Sequence, residues 1–191
     1  MTDTALTLGQ LNTLFRSLTM TMLGFNPAVP AENKKVRIAW PKGGAPAWNI
    51  DDDMVSLRVF EEDDPYNRQR ETQETRIEDY TLNQATNYTR VNAVMFVLYG
   101  PNSYDYAQRI RDQIFIESNR NVLARSNIYL IPEIVSPRRI PENFNGEWWE
   151  RTDLTMHFNE KVVRNLTIST IDIVPLTVTL EDGTEVNTTI Q

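Results

Sequence analysis

Two periods divide the chain. Residues 8–22 place Leu8, Leu11, Leu14, Phe15, Leu18 and Met22 at i, i+3, i+4, i+7 spacing, one apolar stripe that predicts an amphipathic helix. Thr7 followed by Gln10 makes a capping box at its start, and Gly24 supplies a stop. A period of two appears at 54–60, where Val55, Leu57 and Val59 alternate with Ser56 and Arg58, as in a half-buried strand. Residues 88–100, YTRVNAVMFVLYG, alternate at first and become apolar at every position from Ala93 to Tyr99. That describes a central strand covered on both faces at its far end. Gly100-Pro101 breaks it, Asn102 or Ser103 can cap the next helix, and Tyr104, Ala107, Ile110, Arg111 and Ile114 form that helix's inner stripe.

Residues 145–160, NGEWWERTDLTMHFNE, alternate strictly. Leu154, Met156 and Phe158 share one face; Asp153, Thr155, His157 and Asn159 share the other. Extended back to the tryptophan pair, the same alternation puts Trp148 on the apolar face and Trp149 on the polar one, beside Arg151. A large aromatic next to an arginine on a polar face has the composition of a protein–protein contact centre. Two arrangements within one subunit account for the pair equally: a bulge near Gly146 that sends both indoles to the core, or the loop at 137–147 folded over Trp149.

Shorter strands are expected at 36–40, 128–135, 166–174 and 176–180, the last followed by an Asp182-Gly183 turn and a short tail. The region 25–50 is otherwise punctuated by prolines and a Gly-Gly pair, which reads as loop; the spacing of a phosphate-binding loop is missing. Residues 61–76, EEDDPYNRQRETQETR, are almost wholly charged or polar and predict an exposed loop or arm with its charges in water. Strands joined this closely are usually antiparallel. The order therefore indicates one α+β domain over 1–191: a mostly antiparallel sheet with two main helices packed on it, the helix at 8–22, the arm at 61–76, and a strand and tail at 175–191.

At 191 residues the chain can bury a sizeable core without a metal or disulfide. Twenty threonines and seventeen asparagines favour strands and turns over helix interiors. No cysteine is present, which excludes thiolate metal sites and a cysteine nucleophile. No leader or membrane span is visible; the apolar stretch 11–22 carries Arg16. The Asn-x-Thr triplets at Asn87, Asn165 and Asn187 follow from the composition. A net charge of −7 argues against a protein that grips phosphates through basic patches, but suits a wall past which DNA slides.

Candidate chemistry is sparse. The single His157 lies on a polar strand face, and none of the nucleophile-elbow, zinc-helix, P-loop or dinucleotide fingerprints occurs. Asp51, Asp52, Asp53, Glu61, Glu62, Asp63 and Asp64 lack the spacing of a calcium loop and read as solvated charge. Two acids at glycosidase distance remain a low-specificity alternative, that of a carboxylate hydrolase.

Four segments, VRIAWPKGGAPAW (36–48), DDPYNRQRETQETR (63–76), YTRVNAVMFVLYGPNSYDYAQRIRDQIF (88–115) and RIPENFNGEWWERTDLTMHFNE (139–160), resemble the phage neck terminator, or tail terminator, family. LYGPNSYDYA and FNGEWWERTDL are the most specific stretches. The resemblance implies a non-enzymatic virion protein without cofactor or metal, assembled in the host cytoplasm. Such proteins form a ring, typically six-fold, that ends tail-tube polymerisation and joins the tail to the neck connector, leaving a channel for DNA; in contractile tails the ring can also meet the sheath. A repeated heterologous contact needs two different faces on each subunit. Under this reading Trp149, Arg151 and Asp153 supply one, and Tyr66, Arg68 and Arg70 of the charged arm supply the other. The acids Asp51, Asp52, Asp53, Glu61 and Glu62 are candidates for the channel lining. A different virion component, a tube subunit or a connector adaptor, is the nearest alternative.

Overall fold

The computed structural model describes residues 3–39, 48–78, 81–169 and 174–190; the Gly-Gly loop and Trp40 lie outside them. In chain order the elements begin with α1 (Leu8–Leu23), α2 (Pro30–Asn33), β1 (Val36–Ile38), β2 (Met54–Glu61), β3 (Glu71–Glu78) and β4 (Thr81–Tyr99). They continue with α3 (Ser103–Gln113), α4 (Glu117–Ala124), β5 (Ile128–Leu130), β6 (Arg138–Arg139), β7 (Glu142–Phe144) and β8 (Glu147–Trp149). The long β9 (Arg151–Ser169), β10 (Val174–Thr179) and β11 (Glu185–Ile190) complete the chain. This is the expected α+β architecture with a mostly antiparallel sheet, β1–β2 being a parallel pair. The chain divides into two units, one of residues 4–69 and 88–162, the other of 1–3, 70–87 and 163–191.

In the first unit, the body, the strand order is β1-β2-β4-β9-β5. Helix α1 starts as its sequence requires. Gln10 N–H donates to Thr7 Oγ1 (3.3 Å), Thr7 N–H donates to Gln10 Oε1 (2.8 Å), and Gly24 ends the helix at φ 75°. The stripe of α1, with Leu11, Phe15, Leu18 and Met22 buried, packs on Val55 and Leu57 of β2, Val94, Phe96 and Leu98 of β4, and Leu154, Met156 and Phe158 of β9. Phe15 and Phe158 meet at 4.8 Å between ring centroids. Helices α3 and α4 also pack against α1.

One buried ion pair ties the chain's start to this sheet. Glu160 is wholly buried, and Arg90 donates to its Oε2 from Nε (2.9 Å) and Nη2 (2.7 Å). Asn92 Nδ2 donates to the same oxygen, Leu6 N–H donates to Oε1, and Arg90 Nη2 also reaches Leu6 O. Every oxygen of the carboxylate is thus satisfied, the condition under which a buried charge is tolerated.

In the second unit β3 pairs antiparallel with residues 81–87 of β4, with a bulge between Arg76 and Glu78. The second part of the stretch read as an arm, residues 71–76, is therefore strand, and these residues are all exposed. Asn83 Nδ2 donates to Asn165 Oδ1, Gln84 Nε2 to Glu74 Oε1, and Arg164 pairs with Asp3 at 2.9 Å. Asp182-Gly183 turns the chain, as expected, but residues 185–190 are strand and not tail: β11 pairs back on β10 over its length.

Three further expectations change. The inner stripe of α3 is Ser103, Ala107, Ile110 and Ile114; Tyr104 is exposed, one position out of phase. The strand expected at 128–135 stops at Leu130, and of that expected at 166–174, residues 166–169 are the end of β9 while 170–173 lie outside the described residues. Helices α2 and α4 are additions, too short to show a period; Pro30 at the first position of α2 and buried Leu123 in α4 are what hold them.

Candidate assembly surface

Among the described residues, helices cover one face of the body sheet. On the other face of β4 stand Met95, Val97 and Tyr99, each half-buried, with Ser56 and Arg58 opposite Val97 and Met95 on β2. Among the described residues no helix lies over them; Ala93, on the same face, is fully buried, and Trp48 packs on Tyr99 at 5.7 Å between ring centroids, so the described residues cover this face in part. A groove of about 380 Å³ occupies this face. Its floor is Met95, Val97 and Tyr99; its walls include Ile38, Trp48 and Met54; and among the described lining residues are three arginines, Arg37, Arg58 and Arg151, and no acid. On a chain of charge −7 that arrangement is distinctive.

The arginines are braced. Arg151 Nε and Nη2 donate to the two oxygens of Asp153 (2.8 Å each), and its Nη1 donates to Glu142 Oε2 (2.9 Å), which also accepts from Tyr99 Oη (3.1 Å). The Asp153 contact is the main reason the Arg151 guanidinium is held still further from deprotonation than usual. Burial first, then the Glu142 carboxylate, pushes the Tyr99 phenol up. Arg37 lies 5.3 Å from the centre of the Trp48 ring, a cation–π contact, and burial lowers its pKa.

The tryptophan pair follows the arrangement in which residues of 137–147 fold over Trp149, and only Trp148 departs from the alternation. Strands β7 and β8 form a hairpin whose two-residue turn, Asn145 (φ 53°) and Gly146 (φ 84°), has the backbone of a type I′ turn. Cross-strand pairing sets Glu142, Phe144, Glu147 and Trp149 on one hairpin face, Asn143 and Trp148 on the other. Glu150 then interrupts the strand, so the phase of β9 does not carry back to the pair. Trp149 is half-buried and packs edge-on against Phe144 (6.1 Å) and Trp48 (6.3 Å) of its own subunit. Trp148 does not join the apolar face: it is 69% exposed. The Asn-Gly dipeptide was the signal that marks this hairpin.

The other expected site residues scatter. Arg151 and Asp153 lie on the open face but bind each other. Tyr66 and Arg68 are exposed in a 3-10 turn at Pro65–Arg68, where Arg68 pairs with Asp63 (3.1 Å) and Asp64 caps the Tyr66 N–H. Arg70 is exposed at the start of the second unit. Asp51 and Asp52 are exposed in a turn, Asp52 accepting from Asn49 N–H; Asp53 accepts from Asn102 N–H and Nδ2 and so braces the start of α3. Glu61 is exposed, while Glu62 meets His157 Nε2 at 2.7 Å. What the sequence missed is the groove itself, although Ser56 and Arg58 were readable as its polar edge.

Among the described residues no group of three or more acids or histidines is placed to hold a metal, and no helix is long and apolar enough to cross a membrane. A second cavity, of about 460 Å³ beside α4 and β5, has Glu117 as its one lining acid, so neither described cavity brings two carboxylates together. What the two-layer body offers is surface for contact: an open sheet face and an exposed aromatic hairpin, the equipment of an assembly protein. The chain belongs to the phage neck terminator protein family, whose model matches residues 9–183. It is accordingly a structural protein of the bacteriophage neck and tail, working in association with other tail and neck proteins. None of the curated proteins compared with it matches.

Proposed function

We propose that the chain forms a closed ring, six-fold as is usual for tail terminators, that caps the tail tube and joins it to the head–neck connector, leaving a channel through which DNA passes. The observation that carries this reading is the family match over residues 9–183, nearly the whole chain. The body's second sheet face supports it, because Met95, Val97 and Tyr99 are only half-buried there and would lose further exposure against another molecule. The acidic balance suits a channel wall, and of the candidate acids Asp51, Asp52 and Glu61 are the exposed ones. Tyr66, Arg68 and Arg70 offer a second contact surface, and in a contractile tail the ring would also meet the last sheath ring.

Native mass spectrometry and electron microscopy of the purified chain, alone and with added tail tube, test the proposal. A single ring species, or rings seated on tube ends, is expected. A monomer at every concentration that also ignores the tube overturns it, and long filaments from the chain alone would make it a tube subunit instead.

A further inference from the structure

Of the chain's seventeen asparagines one, Asn145, is followed by glycine. Asparagine is a thermolabile residue. Its weakness is intramolecular: the backbone nitrogen of the next residue can attack the side-chain Cγ, and a glycine there has no Cβ to block the approach. A folded chain permits the attack where both groups are exposed, the attacking N–H is free of hydrogen bonds and the turn can open. Asn145 and Gly146 are both exposed, and a Cβ placed on Gly146 would meet nothing within 4 Å. Among the described residues neither the Asn145 side chain nor the Gly146 N–H has a hydrogen-bond partner. The turn joins strands of three residues each, and a two-stranded hairpin that short opens locally at small cost.

Two comparable places in the chain fail these conditions. At Asn102-Ser103 the attacking Ser103 N–H donates to Gly100 O (3.0 Å), Ser103 is buried, and Asn102 Nδ2 donates to Asp53 Oδ2. At Asp182-Gly183, where an aspartate could cyclise in the same way, Gly183 N–H donates to Leu180 O (2.9 Å). The Asp182 carboxyl accepts from Thr184 N–H, which holds it below its ordinary value, and an ionised carboxylate is a poor electrophile.

We propose that Asn145 is a site of spontaneous covalent modification, converting through a cyclic imide to isoaspartate and aspartate. Base removes the Gly146 amide proton, the nitrogen bonds to Asn145 Cγ, the Cγ–Nδ2 bond breaks and ammonia leaves. Water then opens the imide: cleavage between the nitrogen and Cγ gives aspartate, and cleavage between the nitrogen and the main-chain carbonyl carbon gives isoaspartate. Nothing is oxidised or reduced, and water is the co-reactant. Isoaspartate routes the main chain through Cβ, one atom longer, in a turn whose length sets the pairing of Phe144 with Glu147. The change therefore loosens the hairpin that packs Phe144 on Trp149 and presents Trp148 to solvent. Aspartate, which tolerates the same positive φ, leaves the pairing in place. None of these steps depends on ring assembly.

The test is to hold the full chain at neutral and mildly alkaline pH, then map its peptides by mass spectrometry with electron-transfer fragmentation, which separates the two acids. Asn145 should convert at least about tenfold faster than Asn102. Its rate should rise with pH, because base takes the Gly146 proton. Asn145→Gln, whose imide would be a six-membered ring, should convert far more slowly. Hydrogen exchange across residues 142–149 should quicken in the isoaspartate form and stay unchanged in Asn145→Asp. Conversion at Asn145 that is absent, or no faster than at Asn102, overturns the site. Unchanged exchange in the isoaspartate form overturns its effect on the hairpin.

Discussion

Between Val91 and Leu98 strand β4 runs through the body, with Asn92, Val94, Phe96 and Leu98 buried on the helix-covered face and Val91 and Ala93 buried on the other. Between Thr81 and Asn87 the same strand has only Asn83 buried, and its partner β3 is exposed along its described length. The backbone ladder is similar in both places; the side chains differ. In the body, each buried aliphatic or aromatic contributes roughly 1.5–3 kcal/mol through burial. Along β3 and residues 81–87 the side-chain contacts described are polar, and such hydrogen bonds and surface pairs are worth about 1 kcal/mol or less each. Continuity of a strand therefore does not mean uniform stability: residues 91–98 carry core side chains, and residues 81–87 are held by their ladder and by polar pairs.

The contrast breaks most directly at the core. Phe158→Ala removes the ring that meets Phe15 and should cost about 3–5 kcal/mol in urea unfolding. Glu160→Ala should cost a similar amount, about 3–5 kcal/mol, by leaving the part-buried Arg90 without its carboxylate. A loss below about 1 kcal/mol in either variant would mean that the body is not the stable unit described.

Next in size is Gly100→Ala. Gly100 has φ +101°, and an added Cβ would stand 2.7 Å from Asp52 O and 2.8 Å from Asp53 Cα, so backbone must move. A loss of about 1–3 kcal/mol is expected; a neutral result would show that the turn from β4 into α3 yields freely.

The neighbouring tryptophans sharpen the comparison within the body. Trp149→Ala removes a half-buried ring with two aromatic contacts and should cost about 2 kcal/mol. Trp148→Ala should change subunit stability by no more than about 0.5 kcal/mol. Equal losses would place both indoles in the core.

The smallest effects belong to the second unit. Thr75→Ala, opposite Asn83, should stay within about 0.5 kcal/mol, and amides of 71–78 should exchange well before those of 91–98. The Asp3 carboxyl is held below its ordinary value, first by the Asn165 N–H and then by Arg164. A depressed folded-state pKa stabilises above the ordinary aspartate value, and that contribution is lost as pH falls through the lowered one. Protection of the Asn165 amide should therefore fall in acid, and Asp3→Asn should abolish the pH dependence; an unchanged profile would remove this tether.

What the sequence determined by itself is local. The stripe of α1 with its Thr7–Gln10 box and Gly24 stop, the alternation of β2 and of Leu154 to Phe158, and the α+β order all follow from periods and caps acting over a few residues. So does the resemblance that led to the neck terminator family. Tertiary structure decided the rest. An Asn145-Gly146 turn and the break at Glu150 reset the strand phase, so Trp148 went to solvent and Trp149 to Trp48, and no count back from β9 could cross those breaks. Asp53, Glu62 and Asp153 became braces for Asn102, His157 and Arg151 because partners distant in the chain, or a strand neighbour turned the right way, came within hydrogen-bond reach. The groove exists because three helices cover one face of the sheet and leave Met95, Val97 and Tyr99 on the other, a choice made by packing and invisible to a period of two.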